Sequence, residues 1–293
     1  MRTIFFYITI IVSALHTQQA AAQLEVSLAF ERFNFVSGEK MEATVAIRNT
    51  GGRDTVLGGP NGTAWANFLI RSEDGQLVTS INEPASKPIM CRTGERIERR
   101  FNLPQYFYLA KTGTYTVKAL VYFPPLQRWI QSRPVRFTVQ PPSQAKWAHS
   151  FSLPDGHRMA GTFRRYQLFH FHDTQKTYLF LGIKDESSGL SITTQALSTI
   201  ILNRDMQPAV DSSQNLHVLY LGSPTVWVYQ SIDPDGKILS QKFYQAGKAT
   251  PQLLNMDNGD VMVSGGTIYD PTVKQPGPTF RRLSDRPAGI VIE

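Results

Sequence analysis

Apolar and polar residues alternate with a period of two along the first half of the chain. This alternation is typical of β-strands with one buried face, because successive side chains point to opposite faces of a sheet. Glycine, asparagine and aspartate separate the alternating segments and accept the positive φ of tight turns. The segments of strand length are LEVSLAFE, MEATVAIRN, ANFLIRS, GTYTVKALVYF and VRFTVQ. No amphipathic helix interrupts them, so residues 23–140 are predicted to form two packed antiparallel sheets.

One short stretch indicates which kind of two-sheet architecture this is. In LAKTGTYTVKA, residues 109–119, Tyr115 opens a strand after a turn, as in a tyrosine corner, where the hydroxyl bonds back to the preceding backbone. Trp65 is the expected central aromatic of the core. On these residues the region 23–140 resembles bacterial immunoglobulin-like sandwich domains, although the cysteine pair of the antibody type is missing. The resemblance implies an architecture more than an activity, since such modules include spacers, adhesins and proteinase inhibitors.

A second pattern begins after Pro141 and Pro142, which cannot donate to a sheet ladder and mark residues 141–147 as a linker. PAVDSSQNLHVLYLG, starting at Pro208, is echoed 43 residues later by PQLLNMDNGDVMVSG, starting at Pro251. Each unit has about four strands, which is typical of the blades of a β-propeller, small sheets that bury their faces by stacking. Residues 148–275 therefore resemble a set of propeller-like repeats, and residues 276–293 are predicted to be a C-terminal tail.

The repeats are too few for a closed propeller. Two units repeat well and a third repeats poorly, whereas closed propellers need about four or more blades. We therefore predict an open stack of small antiparallel sheets. Three completions stay open: the N-terminal sandwich covers the stack, another copy of the chain completes it through open sheet edges, or residues 148–165 form a further partial unit.

The N-terminus has the features of an export signal. Arg2 precedes the apolar segment IFFYITIIVSALH, and small residues at 20–22 offer a cleavage site, so residues 1–22 are predicted to be a signal peptide. The apolar segment is shorter than the roughly 20 residues that span a bilayer. We expect a secreted or periplasmic protein with no transmembrane span after signal removal. Cys91 is the sole cysteine, which excludes an internal disulfide.

The net charge of +7 does not come from a long run of basic residues. The densest stretch, RTGERIERR at 92–100, mixes both signs, which is typical of a solvated strand face. A nucleic-acid partner is therefore not expected, because it would need clustered basic residues with stacking aromatics. A mild attraction to anionic surfaces or polysaccharides is compatible with the charge.

Two histidines are the candidate metal ligands. His170 and His172 lie two residues apart in the predicted strand FHFHD and so point to one face. With Asp173 or the distant His217 they could hold zinc or copper. A half-buried strand with a polar outer face produces the same pattern without any metal, and that alternative is the commoner one.

Aromatic and basic residues are the candidate ligand-binding groups. Trp227 and Tyr229 share one face of a predicted strand and, like Trp129, could stack on sugar rings if that face is exposed. Arg164 and Arg165, in GTFRRYQ, could recognise an anionic ligand by bidentate contacts. The competing interpretations are a core face for the aromatic residues and a solvated strand for the arginines.

These observations favour binding over catalysis. The sequence contains no nucleophile elbow, phosphate loop or zinc-protease helix motif. We expect an exported, non-catalytic binding or adhesion module that recognises a protein or a polysaccharide and needs no cofactor. Two alternatives stay open. One is a metal-dependent or carbohydrate-active enzyme that uses His170 and His172 with zinc, and the other is a structural or proteinase-inhibitory module.

Overall fold

The computed structural model describes residues 24–84, 87–174 and 176–272, and this part of the chain is all-β, as predicted. Its only helical elements are three 3₁₀ turns, at Pro60–Gly62, Leu103–Gln105 and Pro124–Leu126. None of the helices in the described ranges has the length and apolarity needed to cross a membrane. The predicted signal peptide and C-terminal tail lie outside the described residues. The chain divides into two compact units between Gln140 and Pro141.

Unit 1 is built from two main sheets. Its strands are β1 (Leu24–Phe30), β2 (Asn34–Val36), β3 (Glu42–Asn49), β4 (Thr55–Leu57), β5 (Ala66–Ser72), β6 (Ile89–Cys91), β7 (Arg96–Asn102), β8 (Gly113–Phe123), β9 (Arg128–Gln131) and β10 (Val135–Gln140). One sheet has the order β1-β3-β7, and the other has the order β2-β10-β8-β5, with β9 paired to the end of β8. The pairing of β2 with β10 is parallel, the other pairings are antiparallel, and β4 pairs with β6 separately.

The inward faces of the two main sheets share one hydrophobic core. Rings from opposite sheets meet directly, with 5.4 Å between the centroids of Phe30 and Phe137 and 5.3 Å between those of Phe68 and Phe101. Trp65 is buried in this core, as predicted. The Tyr115 hydroxyl donates to the Lys111 carbonyl oxygen at 2.7 Å, which confirms the hydrogen bond expected of a tyrosine corner.

Unit 2 consists of two larger sheets and a hairpin. Its strands are β11 (Trp147–Ser152), β12 (Phe163–Asp173), β13 (Lys176–Asp185), β14 (Ser191–Thr199), β15 (Gln207–Val210), β16 (Leu216–Ser223), β17 (Val226–Ile232), β18 (Ile238–Gln245), β19 (Gln252–Asn255), β20 (Val261–Ser264) and β21 (Thr267–Tyr269). The sheet orders are β11-β12-β13-β14, β15-β16-β17-β18-β21 and β19-β20. Residues 147–152 belong to the first sheet, so the segment 148–165 is not a separate partial unit.

The middle sheet of unit 2 is covered on both faces. Leu216, Val218 and Tyr220 point into one core that is shared with the first sheet. Leu219 and Leu221, the alternate residues of the same strand, point into a second core on the other side, against the β19–β20 hairpin. This explains why β16 is a nearly continuous apolar run, since a strand buried on both faces has no position for exposed polar residues.

The two stretches that repeat in the sequence do adopt the same local shape. β15 and β16 are joined by a turn at Asp211–Asn215, and β19 and β20 by one at Met256–Asp260, with the same pair of backbone hydrogen bonds in each. The structural interval is therefore 45 residues, two more than the alignment of Pro208 with Pro251 suggests. Within the described residues, the repeat that starts at Pro251 has only this hairpin instead of the expected four strands, and β21 pairs with β18 of the preceding sheet.

The two turns differ at their left-handed position, where φ is 65° at Gln214 and 83° at Gly259. A residue with a Cβ is strained in this conformation. We expect Gln214→Gly to raise the free energy of unfolding by up to about 1 kcal/mol. Gly259→Ala should lower it, because a Cβ at this positive φ would also lie 2.9 Å from the Ser212 Cβ. Urea unfolding of both variants tests this, and a destabilised Gln214→Gly would contradict it.

Candidate functional site

The two predicted metal-binding histidines share one face of β12, but within the described ranges no third ligand lies beside them. The ring of His170 is half-buried and its Nε2 has no hydrogen-bond partner, while His172 Nδ1 lies 3.0 Å from the Thr177 hydroxyl. Burial lowers the pKa of His170, and the nearby Lys146 lowers it further. Among the described residues, no group of three or more histidine, cysteine, aspartate or glutamate side chains is placed to hold a metal ion.

Trp227 and Tyr229 share a face of β17, as predicted, but that face is interior. Their exposed fractions are 5% and 8%, and they pack in the core beneath the β19–β20 hairpin. A sugar ring could reach them only if the hairpin moved away. Their shared face therefore serves packing in this structure.

Arg164 and Arg165 do not converge, because adjacent residues of a strand point to opposite faces. The guanidinium of Arg164 is buried and donates to the Asp235 carboxylate and to the Pro234 carbonyl, both at 2.7 Å. This bond from Arg164 is the main reason that the pKa of Asp235 is lowered. Arg165 is exposed and lies 3.3 Å from Glu186. Arg164 thus anchors the turn between β17 and β18.

His217, which the sequence offered as a distant metal ligand, belongs instead to a buried polar chain with Asp211 and Tyr229. His217 Nε2 is 3.0 Å from a carboxylate oxygen of Asp211, and its Nδ1 is 2.8 Å from the Tyr229 hydroxyl. A carboxylate only accepts, so Nε2 donates to Asp211, and in the neutral ring Nδ1 accepts from Tyr229. Each of the three side chains thus has a hydrogen-bond partner inside the fold. The two bonds connect the turn between β15 and β16 to strand β17.

The exposed aromatic side chains with the best-defined setting lie on unit 1. Trp129 is 36% exposed, and its ring centroid lies 5.4 Å from that of Tyr122, edge to face. The two residues are cross-strand partners in β9 and β8. In β8, burial alternates strictly from Tyr115 to Phe123, so Tyr122 belongs to the set of side chains that point away from the core.

The same outward set forms what we call the aromatic–basic face of the β2-β10-β8-β5 sheet. Pairing and alternation place on it Asn34, Asn67, Leu69, Arg71, Thr114, Thr116, Lys118, Leu120, Tyr122, Trp129, Gln131, Arg136 and Thr138. Three of these residues are cations and none is an acid. The nearest acidic residues of the loops, Glu73 and Asp74, follow the end of β5 that is remote from Trp129.

The face is arranged in rows along β8. Arg71 and Arg136 flank Thr116, as its cross-strand neighbours on either side. One row further, the Lys118 ammonium lies 3.4 Å from the side-chain oxygen of Gln131. The Trp129 row is six residues from the Thr116 row, or about 20 Å at the rise of a β-strand. The face can therefore offer cations at one end and stacking rings at the other to one extended ligand.

The sequence by itself indicates only part of this face. It marks Trp129 as an aromatic residue suited to stacking, but it does not associate Tyr122, Arg71, Lys118 and Arg136 with it. Each lies at an alternate position of a predicted strand, which is the one signal available in the sequence. The register that places the four on one face with Trp129 comes from strands far apart in the chain.

Comparison with known proteins adds little to these observations. No protein-family model matches the chain, and no curated protein matches it. Among solved structures, the sporulation control protein Spo0M from Bacillus subtilis is similar at 12% identity, over 58% of this chain and 82% of that one, with a TM-score of 0.29. The YadV chaperone is similar at 10% identity, over 75% of this chain and 99% of that one, with a TM-score of 0.24. Likenesses this weak carry no argument about fold or function.

The hydrogen bonds of the buried Asp211 carboxylate predict how the stability of the protein depends on pH. Burial raises the pKa of Asp211, but hydrogen bonds from His217 and Asn215 outweigh burial, so the pKa lies below its ordinary value of 3.8. The contribution of this carboxylate to stability is complete above the unfolded pKa and is lost as the pH falls through the folded pKa. We expect Asp211→Asn to cost about 1 to 3 kcal/mol at neutral pH and to flatten the loss of stability below about pH 4.

Urea unfolding at a series of pH values, followed through the amide signals of β16, measures both effects. Asp260→Asn is the control, because Asp260 is an exposed carboxylate in the second hairpin turn, which it closes as Asn215 closes the first. The control should keep the wild-type dependence on pH. An Asp211→Asn variant whose acid profile parallels that of the wild type would rule out this role for the carboxylate.

Proposed function

We propose that this protein is an exported, non-catalytic binding module that recognises an anionic polysaccharide through the aromatic–basic face of unit 1. The observation that carries the proposal is the composition of that face: the exposed Trp129 with the partly exposed Tyr122, on the same sheet face as Arg71, Lys118 and Arg136, and no acidic side chain among them. The secreted or periplasmic location rests on the N-terminal signal pattern.

The chemistry of the face suits a charged sugar chain. Tyrosine and tryptophan rings offer apolar surface with a polar edge, which suits the C–H faces of a pyranose. Arginine donates in pairs to carboxylate or sulfate oxygens. Each exposed ion pair contributes only about 0 to 1 kcal/mol, so affinity requires several contacts along the ligand, and it should fall as salt rises.

We further propose the finer architecture that the sequence resemblance suggests. In unit 1, an immunoglobulin-like arrangement is supported by the two sheets around one core, the parallel pairing of β2 with β10, and the Tyr115 corner. In unit 2, a propeller-like open stack is supported by two successive antiparallel sheets packed face to face and followed by a hairpin. A homo-oligomer that pairs open sheet edges stays a prediction.

The test measures binding of the chain without residues 1–22 to heparin and alginate, with neutral dextran as the uncharged comparison. We expect saturable binding to one or both anionic polymers, weakened at least about tenfold by Trp129→Ala through loss of stacking. The double variant Arg71→Gln/Arg136→Gln should weaken binding at least as much, because it removes the paired donors beside Thr116. Isothermal titration at two ionic strengths gives the affinities.

The matched control is Arg48→Gln/Arg96→Gln. These two arginines are cross-strand partners on the outer face of the other sheet of unit 1, so the variant loses the same net charge. Binding should be unchanged in it. Equal losses in the two double variants would indicate unspecific attraction to a basic protein and would overturn the proposal. So would an absence of polysaccharide binding by the wild type, which would favour a protein partner instead.

A further inference from the structure

A cleft of about 330 Å³ opens at the margin of unit 1, on a different side of the core from the aromatic–basic face. Its lining includes the aromatic residues Trp65, Phe101 and Tyr106 and the cations Lys87, Arg99 and Arg100. Trp65 and Phe101 are largely buried, at 2% and 7% exposure, so the more accessible aromatic surface is that of Tyr106. Among the described residues, no acidic side chain lines the cleft. It therefore combines an aromatic wall with a positive entrance.

Arg99 occupies an unusual position in its strand. It pairs with Val45, a fully buried core residue, so the alternation of β7 turns Arg99 toward the core side together with Ile97 and Phe101. Because β7 is the edge strand of its sheet, the side chain reaches solvent at the mouth of the cleft and stays exposed. Arg99 thus stands at a position of β7 where the alternation would place an apolar residue. The methylene groups of its side chain lie along the margin of the core, and its guanidinium lies at the rim of the cleft.

The other parts of the rim are also held in place. The indole Nε1 of Trp65 donates to the Lys87 carbonyl oxygen at 3.0 Å, which fixes the loop that forms the opposite wall. Arg100 has only a long contact of 3.9 Å with the exposed Glu42. Glu98, the acidic residue next to Arg99, pairs instead with Arg96 at 2.8 Å. The cations at the rim are thus largely unneutralised by neighbouring carboxylates.

We infer that this cleft is a second binding site, which takes a small anion with an aromatic body, such as an aryl phosphate or aryl carboxylate. Tyr106, with the accessible edge of Phe101, would contact the ring of the ligand, edge to face as Phe101 already contacts Trp65 and Tyr106. The Arg99 Nη1, which donates to the Glu98 carbonyl oxygen at 2.8 Å, would turn to the anionic group so that the guanidinium donates in pairs, with Lys87 and Arg100 adding charge. The site is independent of the proposed polysaccharide recognition.

Phenyl phosphate is the probe, with inorganic phosphate as the comparison that lacks the ring. We expect saturable binding of phenyl phosphate by isothermal titration, at least about tenfold tighter than that of phosphate, with a shift of the Trp65 indole N–H signal in NMR spectra. Arg99→Gln should weaken binding about tenfold or more, and Arg100→Gln should weaken it less. Thermal unfolding of each variant shows whether unit 1 stays folded.

Two matched variants separate binding in the cleft from attraction to basic residues elsewhere on unit 1. Arg48→Gln removes the same charge from the neighbouring strand β3, outside the cleft, and it should bind phenyl phosphate as the wild type does. Arg71→Gln/Arg136→Gln should also bind normally, whatever its effect on polysaccharides. An Arg99→Gln variant that keeps full affinity for phenyl phosphate would overturn the inference. If that variant also self-associates, Arg99 instead protects the edge strand β7 against pairing with another chain, as inward-pointing charges do in other proteins. Failure of the wild type to bind phenyl phosphate would overturn it as well.

Discussion

The two-sided character of strand β8 is the constraint on which unit 1 depends. Its inward residues, from Tyr115 to Phe123, form the middle of the core, and its outward residues form the middle of the aromatic–basic face. A shift of one residue in its pairing would exchange the two sets, because side chains in a strand alternate with a period of two. The packing of the core therefore determines the strand register, and the register determines which side chains share the outer face with Trp129. The corner hydrogen bond of Tyr115 fixes where this strand begins.

Unit 2 satisfies a different constraint, since strands β16 and β17 of its middle sheet are buried on both faces. Polar side chains on them must find partners inside the protein, because an unpaired buried polar group costs several times what a hydrogen bond contributes. The Asp211–His217–Tyr229 chain and the contact between Tyr220 and Gln230 meet this requirement. His217, a candidate metal ligand in the sequence, and Tyr229, a candidate ligand-binding residue, thus have a structural role here. The same holds for Arg164, whose charge is compensated by Asp235.

The exposed chemistry on which both proposals rest lies on unit 1, on two different surfaces. The aromatic–basic face is broad and lies over the centre of a sheet, which suits an extended chain. The cleft beside β7 is small and lies where the core reaches the edge of the other sheet, which suits a compact ligand. Both surfaces combine cations with aromatic rings and have no acidic side chain among the residues that form them, so a common preference for anions follows from one arrangement of charge.

The alternation of apolar and polar residues was enough to predict the all-β class, the tyrosine corner, the burial of Trp65 and five of the strands of unit 1, namely β1, β3, β5, β8 and β10, because these depend on local periodicity and on one core per sheet face. It also predicted that Trp227 and Tyr229 share a face. Whether that face meets water depended on the β19–β20 hairpin, which packs on it from later in the chain. The placement of Arg71, Lys118, Tyr122 and Arg136 on one face with Trp129, and the placement of Arg99 at an edge, depended on strand register between distant segments. No local pattern encodes such pairing, because it is chosen by the packing of both sheets at once, and so only the tertiary structure could decide it.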